Sequence, residues 1–509
     1  MLSLKNTRQV LYWAIFLGLL VRISSATFGF GFHARDDYFH VLDPAIHWLE
    51  DPEFNWETSD LAGAGLRSHL IPRTVLNLLK LEIALGIEDP TTQLALIFVL
   101  LGLYSLLAVP GMFLLVRQIA DEKTGLIAAL ITALHFSLPY GGTKLLIEAI
   151  AIPPLVFGFY FVARKDGRGY FLGGLLLGFA CWLRFQIGVA CLGLVAAIIY
   201  THLKERKEGQ GKEFGLLAKN LGLLACGAGL TLLLQGLYDI YTTGVFYGPF
   251  INNLKFNMNP PKSLTSSSAF SYIIMWLTLL LPPFAFVLLP PFIRAARLYP
   301  LLSFPWLAFL ITHSFISHKE ERFMYPVIPL FCALLALSLF VKEDCNHPYW
   351  HKVKKWWGVS VKAFVCVHIL ALGLVCINQS QLNQRQAMSK LRTDAQATGL
   401  LSIGPEIQSY FLERKDLTIL RRGKPRLEWL QAVMIPTRKQ KQEINRVISY
   451  KAEHETVAAH LKAVELECKV KEELRGWWLD RLVYKGNPRH NRRRSTIEFW
   501  HCQDNMLKN

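Results

Sequence analysis

The sequence predicts a polytopic α-helical membrane protein, and three observations carry that prediction. Apolar runs long enough, or nearly so, to cross a bilayer recur along the chain. The 509 residues are 52% hydrophobic and only 18% charged, with mean hydropathy +0.28, and a soluble chain of this length carries more charge. The loops between the runs are rich in Lys and Arg on one predicted side and nearly neutral in a short loop on the other.

Hydropathy gives about eleven spans: 10–28, 92–116, 124–138, 147–162, 170–183, 187–200, 216–238, 272–292, 298–316, 324–341 and 359–377. The first follows Lys5 and Arg8 and lacks a clean small-x-small cleavage site, so it reads as an uncleaved span rather than a signal peptide. With the N-terminus cytoplasmic, the inner loops include Arg164 to Arg168, Lys204 to Lys212, Arg294 to Arg297 and Lys342 to Lys355, all basic. The outer loop around Tyr140 to Lys144 is nearly neutral, which satisfies the positive-inside rule. An odd span count then puts four segments outside: 29–90, 239–271, the polar cluster at His318, and 378–509.

The first outer loop, 29–91, holds two helical patterns. Tyr38, Leu42, Ala45, Ile46 and Leu49 recur at helical spacing, which predicts an amphipathic helix lying on the membrane and ended by Pro52. A second helix is predicted at 70–83, after Gly63-Ala64-Gly65. Residues 1–377 read as the membrane domain and 378–509 as a small mixed α/β domain. In the latter, 417–420 and 496–500 are β-like and 440–461 is helical.

Composition removes several classes. Much of the formal charge of +17 lies in loops beside spans, where basic residues set orientation or meet anionic lipid. The one dense basic run, Arg492 to Arg494, lacks interleaved aromatics, so no nucleic-acid partner is expected. Of nine Cys, Cys181, Cys191, Cys226, Cys332, Cys366 and Cys376 fall in or at apolar runs as packing residues. Cys468 and Cys502 share the polar C-terminal region, where an oxidising compartment would allow a disulfide. No Cys/His zinc spacing appears and no cofactor is expected; no outer ligand cluster demands a divalent metal, which stays open.

The candidate chemistry gathers in the outer segments. Asp36 and Asp37 follow the first span; one can cap a helix, and either can act as a general base on an acceptor hydroxyl. Trp56 and Glu57 share their loop with Arg67, which can pair with lipid headgroups or a bound phosphate. Arg184 sits where two apolar runs meet, a place for snorkelling or for a phosphate contact. The stretch from Asp239 to Asn257, with Tyr247 inside it, is dense in Tyr, Asn and Phe and suits a sugar or an interfacial aromatic belt. His318-Lys319-Glu320-Glu321-Arg322-Phe323 adds cations that can meet a phosphate and carboxylates that can hold them, or an internally paired loop. An outward-facing site needs a sugar donor already carried across the membrane, hence a lipid-linked one.

Taken together, Asp36-Asp37, Trp56-Glu57, Arg67-Ser68 with Pro72, Phe246-Tyr247-Gly248 with Asn257, and His318 to Phe323 followed by Tyr325-Pro326 and Pro329 resemble the GT-C mannosyltransferases. The similar branch extends the N-glycan precursor and the GPI anchor, and the likeness covers roughly residues 31–341. The resemblance implies a GT-C fold and an active site facing the lumen or periplasm. It implies a polyprenyl- or dolichyl-phosphate donor, usually of mannose, and inverting transfer to a glycolipid or lipid-linked glycan. It places the catalytic base in the Asp36-Asp37 pair. Donor-phosphate and substrate contacts fall to Arg67, Arg184, Tyr247, His318, Lys319 and Arg322, with Trp56, Glu57, Glu320 and Glu321 orienting them. The chain departs from the pattern after Asn257, where no Pro-Trp-His-Trp-Tyr string follows. That marks a divergent member; a bacterial inner membrane and an endoplasmic reticulum membrane both fit. A glycolipid or anion transporter, and a non-catalytic subunit of a glycan assembly complex, are the competing readings. Polar residues gathered in loops rather than at mid-membrane weigh against transport.

Overall fold

The computed structural model describes residues 4–57, 59, 65–209, 213–259, 267–280, 284–342, 345, 348–414, 416–488, 491–504 and 506. Gly63 and Ala64, and residues 260–266 after Asn257, lie outside them. The chain divides into two compact units: residues 1–27, 34–81 and 95–377, and residues 28–33, 82–94 and 378–509.

The first unit is helical. Each predicted span falls mainly on helix, though fewer than eleven of the described helices have full membrane length. Among the described residues six helices are long and apolar enough to cross, or seven if the bent pair below is one span: Thr7–Thr27, Pro90–Ile119, Ile187–Lys207, Phe214–Thr243, Glu321–Ser338 and Pro348–Cys376. Ile147–Ala163 and Pro300–Phe315 are shorter apolar helices. Glu122–Leu134 has 13 residues and Gly167–Leu183 has 17. At ~1.5 Å per residue the 13-residue helix spans only about 20 Å of a bilayer core of roughly 30 Å. Hydropathy registers that such a segment is apolar, not that it is long. The predicted span 272–292 is two helices, Ser271–Leu279 and Phe284–Leu298, bent by 99°. The sequence between them contains Pro282 and Pro283, which lack the N–H that helix continuation needs.

Small residues let helices approach closely. A Cβ on Gly174 would stand 2.2 Å from the carbonyl oxygen of Leu224, and one on Gly227 would stand 2.2 Å from that of Phe171. Gly167–Leu183 and Phe214–Thr243 therefore pack backbone to backbone, the small-residue mode of membrane helices. Arg22, inside the first span, is fully buried. It donates to Ser105 Oγ (2.9 Å) and to the carbonyls of Gly18 and Ala133. It is a structural tie between spans rather than part of a transport path.

After the first span comes a short helical turn, Arg35–Asp37, then a π-helical segment, Tyr38–Leu42, then the helix Asp43–Glu50. The predicted amphipathic pattern is real, but its apolar side does not lie on lipid. Tyr38, Leu42, Ala45 and Ile46 are buried in protein. The second loop helix, Leu70–Ala84, matches the predicted 70–83.

The second unit carries a five-stranded mixed sheet: β1 (Gly399–Ile403), β2 (Thr418–Arg422), β3 (Arg446–Tyr450), β4 (Leu466–Leu474) and β5 (Ile497–Asp504). The order is β2-β1-β3-β5-β4. β1 runs parallel to β2 and β3, while β5 is antiparallel to β3 and β4. The predicted helix at 440–461 is in fact β3 followed by the helix His454–Ala463. β3 is buried along its whole length, so it lacks the polar alternation that betrays a strand. Leu401, Val447 and Trp500 from the sheet meet Leu430, Met434, Val457 and Leu461 from two helices in one core. Cys468 and Cys502, directly opposed on β4 and β5, form a disulfide. Tyr410 donates to Gln93 Oε1 (2.9 Å), which ties residues 82–94 into this unit.

Candidate active site

The two adjacent aspartates part company. Asp37 is buried, and its Oδ2 accepts from the Ala34 backbone N–H (3.1 Å), so it caps the turn. The helical turn then sends Asp36 the other way, its side chain 24% exposed and facing a set of arginines. The next segment, a π-helix, brings His40 Nε2 to 3.7 Å from Asp36 Oδ1.

Arg322 is the hub. It stands in the first turn of the 3₁₀ helix Glu321–Val327 and is 5% exposed. Its Nη2 lies 2.8 Å from Asp36 Oδ2, its Nη1 3.4 Å from Glu148 Oε1, and its Nε 2.6 Å from Glu320 Oε2. Three carboxylates thus take three edges of one planar guanidinium, a task that the point charge of lysine does not perform. Arg67 Nη2 reaches the same Asp36 oxygen at 3.5 Å. Arg184 Nη2 binds Glu148 Oε1 at 2.6 Å, and its buried Nε has no hydrogen-bond partner. The Phe323 ring lies under both Arg322 and Arg184, at 5.0 and 5.7 Å. Three arginines and three carboxylates converge in this way within the first unit.

The loops that deliver these groups are braced. Glu57 and His69 form a 2.6 Å bond across the base of the Arg67 segment. Asn252 and Asn253 donate to the carbonyls of Gly65 and Leu66, and Trp182 donates to Ser68 Oγ. Gly65 has φ +68°, a left-handed conformation that glycine adopts at little cost. Arg184 sits in the tight turn between Gly167–Leu183 and Ile187–Lys207, where Gln186 donates to the Phe323 carbonyl (3.1 Å). Arg184 is therefore a buried ion pair and not a snorkelling side chain.

The charges settle accordingly. Burial alone would raise the Asp36 carboxyl, but His40, Arg322, Arg67 and Arg184 together hold it well below the usual range. Burial pushes the His40 imidazole down to about 4 against the pull of Asp36, so it is neutral near pH 7. Glu320 is opposed by burial too, yet its bonds to His318 and Arg322 bring it down to about 2.

Several predicted site residues stand elsewhere. Lys319 donates to the carbonyls of Ser267 and Ile316, so its ammonium serves the loop backbone. The Tyr247 hydroxyl donates to the Leu232 carbonyl (2.6 Å) and latches the helix Gly248–Met258 to Phe214–Thr243. His318 holds Glu320 from behind at 2.9 Å. Glu321 is exposed. Trp56 is buried among His47 and Phe54 and supports the loop, as does Glu57. Two members escaped the sequence reading. Glu148 is a lone carboxylate at the start of an apolar run, which is itself a signal of a site. His40 falls four residues after Asp36, the spacing of neighbours on a helix. Among the described residues no three His, Cys, Asp or Glu side chains form a metal-binding group.

A helical membrane unit of this kind is the fold of the GT-C glycosyltransferases. The Alg9-like mannosyltransferase family model matches residues 13–403, and the chain belongs to that family. No curated protein matches the sequence significantly. Among solved structures, ArnT from Cupriavidus metallidurans bound to undecaprenyl phosphate is similar in fold. Its TM-score is 0.59 at 12% identity, over 97% of this chain and 98% of that one. AglB from Archaeoglobus fulgidus, in complex with an inhibitory peptide and a dolichol-phosphate, gives 0.50 at 13% identity over 89% and 71%. The arabinofuranosyltransferase AftD from Mycobacteria gives 0.51 at 12% identity over 97% of this chain and 40% of that one.

Proposed function

We propose that this glycosyltransferase moves a hexose, most simply mannose, from a polyprenyl- or dolichyl-phosphate to a hydroxyl of a glycolipid or lipid-linked glycan. The observation that carries the reading is the Asp36 carboxylate shared by Arg322 and Arg67. Without donor, the arginines and the base neutralise one another. A donor phosphate competes for the guanidiniums, and each contact that it takes over frees an Asp36 lone pair and raises its basicity. Asp36 then accepts the proton of the acceptor hydroxyl, whose oxygen attacks the anomeric carbon from the face opposite the phosphate. The bond from that carbon to the phosphate oxygen breaks, configuration inverts, and Arg322, Arg67 and Arg184 hold the departing lipid phosphate. The lipid phosphates bound to ArnT and AglB favour such a donor. The basic inner loops and the Cys468–Cys502 disulfide favour an active site that faces the lumen or periplasm.

Membranes holding wild type, Asp36→Asn or Asp37→Asn test this with labelled polyprenyl-phosphate mannose and a crude lipid-glycan acceptor. Asp36→Asn should lose roughly 10²- to 10⁴-fold in transfer, the usual worth of a positioned base. Asp37→Asn should lower stability and keep transfer per folded molecule. Full transfer by Asp36→Asn overturns the base assignment, and no transfer by wild type overturns the donor.

A further inference from the structure

We infer that Cys181 and Cys191 form a redox-responsive dithiol, a modification site beneath the turn that carries Arg184. Their sulfurs lie 3.8 Å apart. Cys181 stands in the last turn of Gly167–Leu183 and Cys191 in the second turn of Ile187–Lys207. Both side chains are partly exposed at the protein surface. The connection between the helices is short and closed by its own backbone bonds, Ile187 N–H to the Arg184 carbonyl and Gly188 N–H to that of Phe185. The two sulfurs therefore face each other across a fixed hairpin rather than meeting by chance motion of a long loop.

A disulfide needs the sulfurs about 2.05 Å apart, a closure of roughly 1.8 Å from the 3.8 Å seen here, within reach of side-chain rotation and a small approach of the helices. Oxidation proceeds by exchange with an external disulfide. One thiolate attacks it and expels a thiol, and the second then displaces the mixed disulfide. The protein loses two protons and two electrons, and the oxidant leaves as two thiols.

The consequence reaches the site because the hairpin carries Arg184 on Glu148 and Gln186 on the Phe323 carbonyl. Pulling the helix ends together shifts both anchors. That effect on turnover rests on the function proposed above, whereas formation of the bond does not.

The test uses the full chain in detergent, reduced or treated with oxidised glutathione, then denatured and labelled with a maleimide polymer. Seven cysteines are free while the Cys468–Cys502 bond stays closed, so under reduction mild enough to spare it labelling should fall from seven to five, with Cys181 and Cys191 joined in the peptide map. Cys181→Ser should stay at six. Unchanged labelling, glutathione adducts without a cross-link, or a cross-link at other cysteines overturns the dithiol. In the transfer assay, oxidised wild type should slow by about threefold or more and recover with dithiothreitol, while Cys181→Ser does not respond. A mapped bond with unchanged turnover overturns the link to Arg184. Absence of transfer by reduced wild type is a failure of the proposed function alone, and the thiol count still decides the dithiol.

Discussion

Arg322→Lys separates charge from geometry at the hub. Lysine keeps the positive charge and can hold Asp36, the 2.8 Å partner, but it cannot also serve Glu148 and Glu320. Glu148 is buried, and its contact to Arg322 is long at 3.4 Å. Glu320 is 36% exposed, so solvent screens its share despite a 2.6 Å bond. Losing a buried charged hydrogen bond and a screened one removes roughly 2–4 kcal/mol of organisation. If that loss falls on the transition state, transfer per folded molecule drops about 30- to 1000-fold. The assay is initial rate at saturating donor, normalised to the monodisperse fraction from gel filtration, with a thermal melt alongside. Glu320→Gln is the milder companion and should lose at most about tenfold. A lysine variant within about threefold of wild type would refute the claim that the three-edged fork matters.

Other perturbations follow from the same geometry. His40 has a folded value near 4 against an ordinary 6.5, so the unfolded chain binds the proton first. Its contribution to stability is lost as pH falls from about 6.5 to 4, and His40→Gln should flatten that part of the stability profile. Identical slopes for the two proteins would count against a buried neutral imidazole. Asp36 and Glu320 act further down, their contribution present above about pH 4 and lost below it. Tyr247→Phe removes one hydrogen bond to the Leu232 carbonyl and should cost about 1 kcal/mol in a melt, with donor KM unchanged. A raised donor KM would restore Tyr247 to the binding site.

Legibility followed the range of the interactions. The string His318 to Phe323 is unusual between two apolar runs, and Arg322 and Glu320 inside it were readable as cation and holder. Lys319 and Tyr247 turn to nearby backbone carbonyls, and in sequence such a side chain looks the same as one that waits for ligand. Asp36 and Asp37 were inseparable until the turn assigned one to a cap. Glu148 reaches Arg322 across 174 positions, and a contact of that range leaves no local pattern. In the second unit, β1 and β4 went unnoticed and β3 was read as helix. Continuous burial, which takes in Ser402, Arg446 and Ser449, hides period two in β1 and β3, and the largely exposed β4 offers no apolar alternation. For the spans the reverse holds, since apolar composition is plain in the sequence but helix length is not.

Arg322 is carried by the 3₁₀ turn that leads directly into the helix Ile328–Ser338, every residue of which is buried. Acyl chains therefore have no direct grip on the element that sets the position of the central cation. The outer helices expose apolar side chains such as Leu192, Ile311 and Ile369 and must tilt or shift when the bilayer thins or thickens. The hub is insulated from that adjustment. The side chain at the centre of the charge cluster is thus held by protein alone, while the bilayer acts on the surrounding helices, so a change in lipid thickness meets Arg322 only through its neighbours.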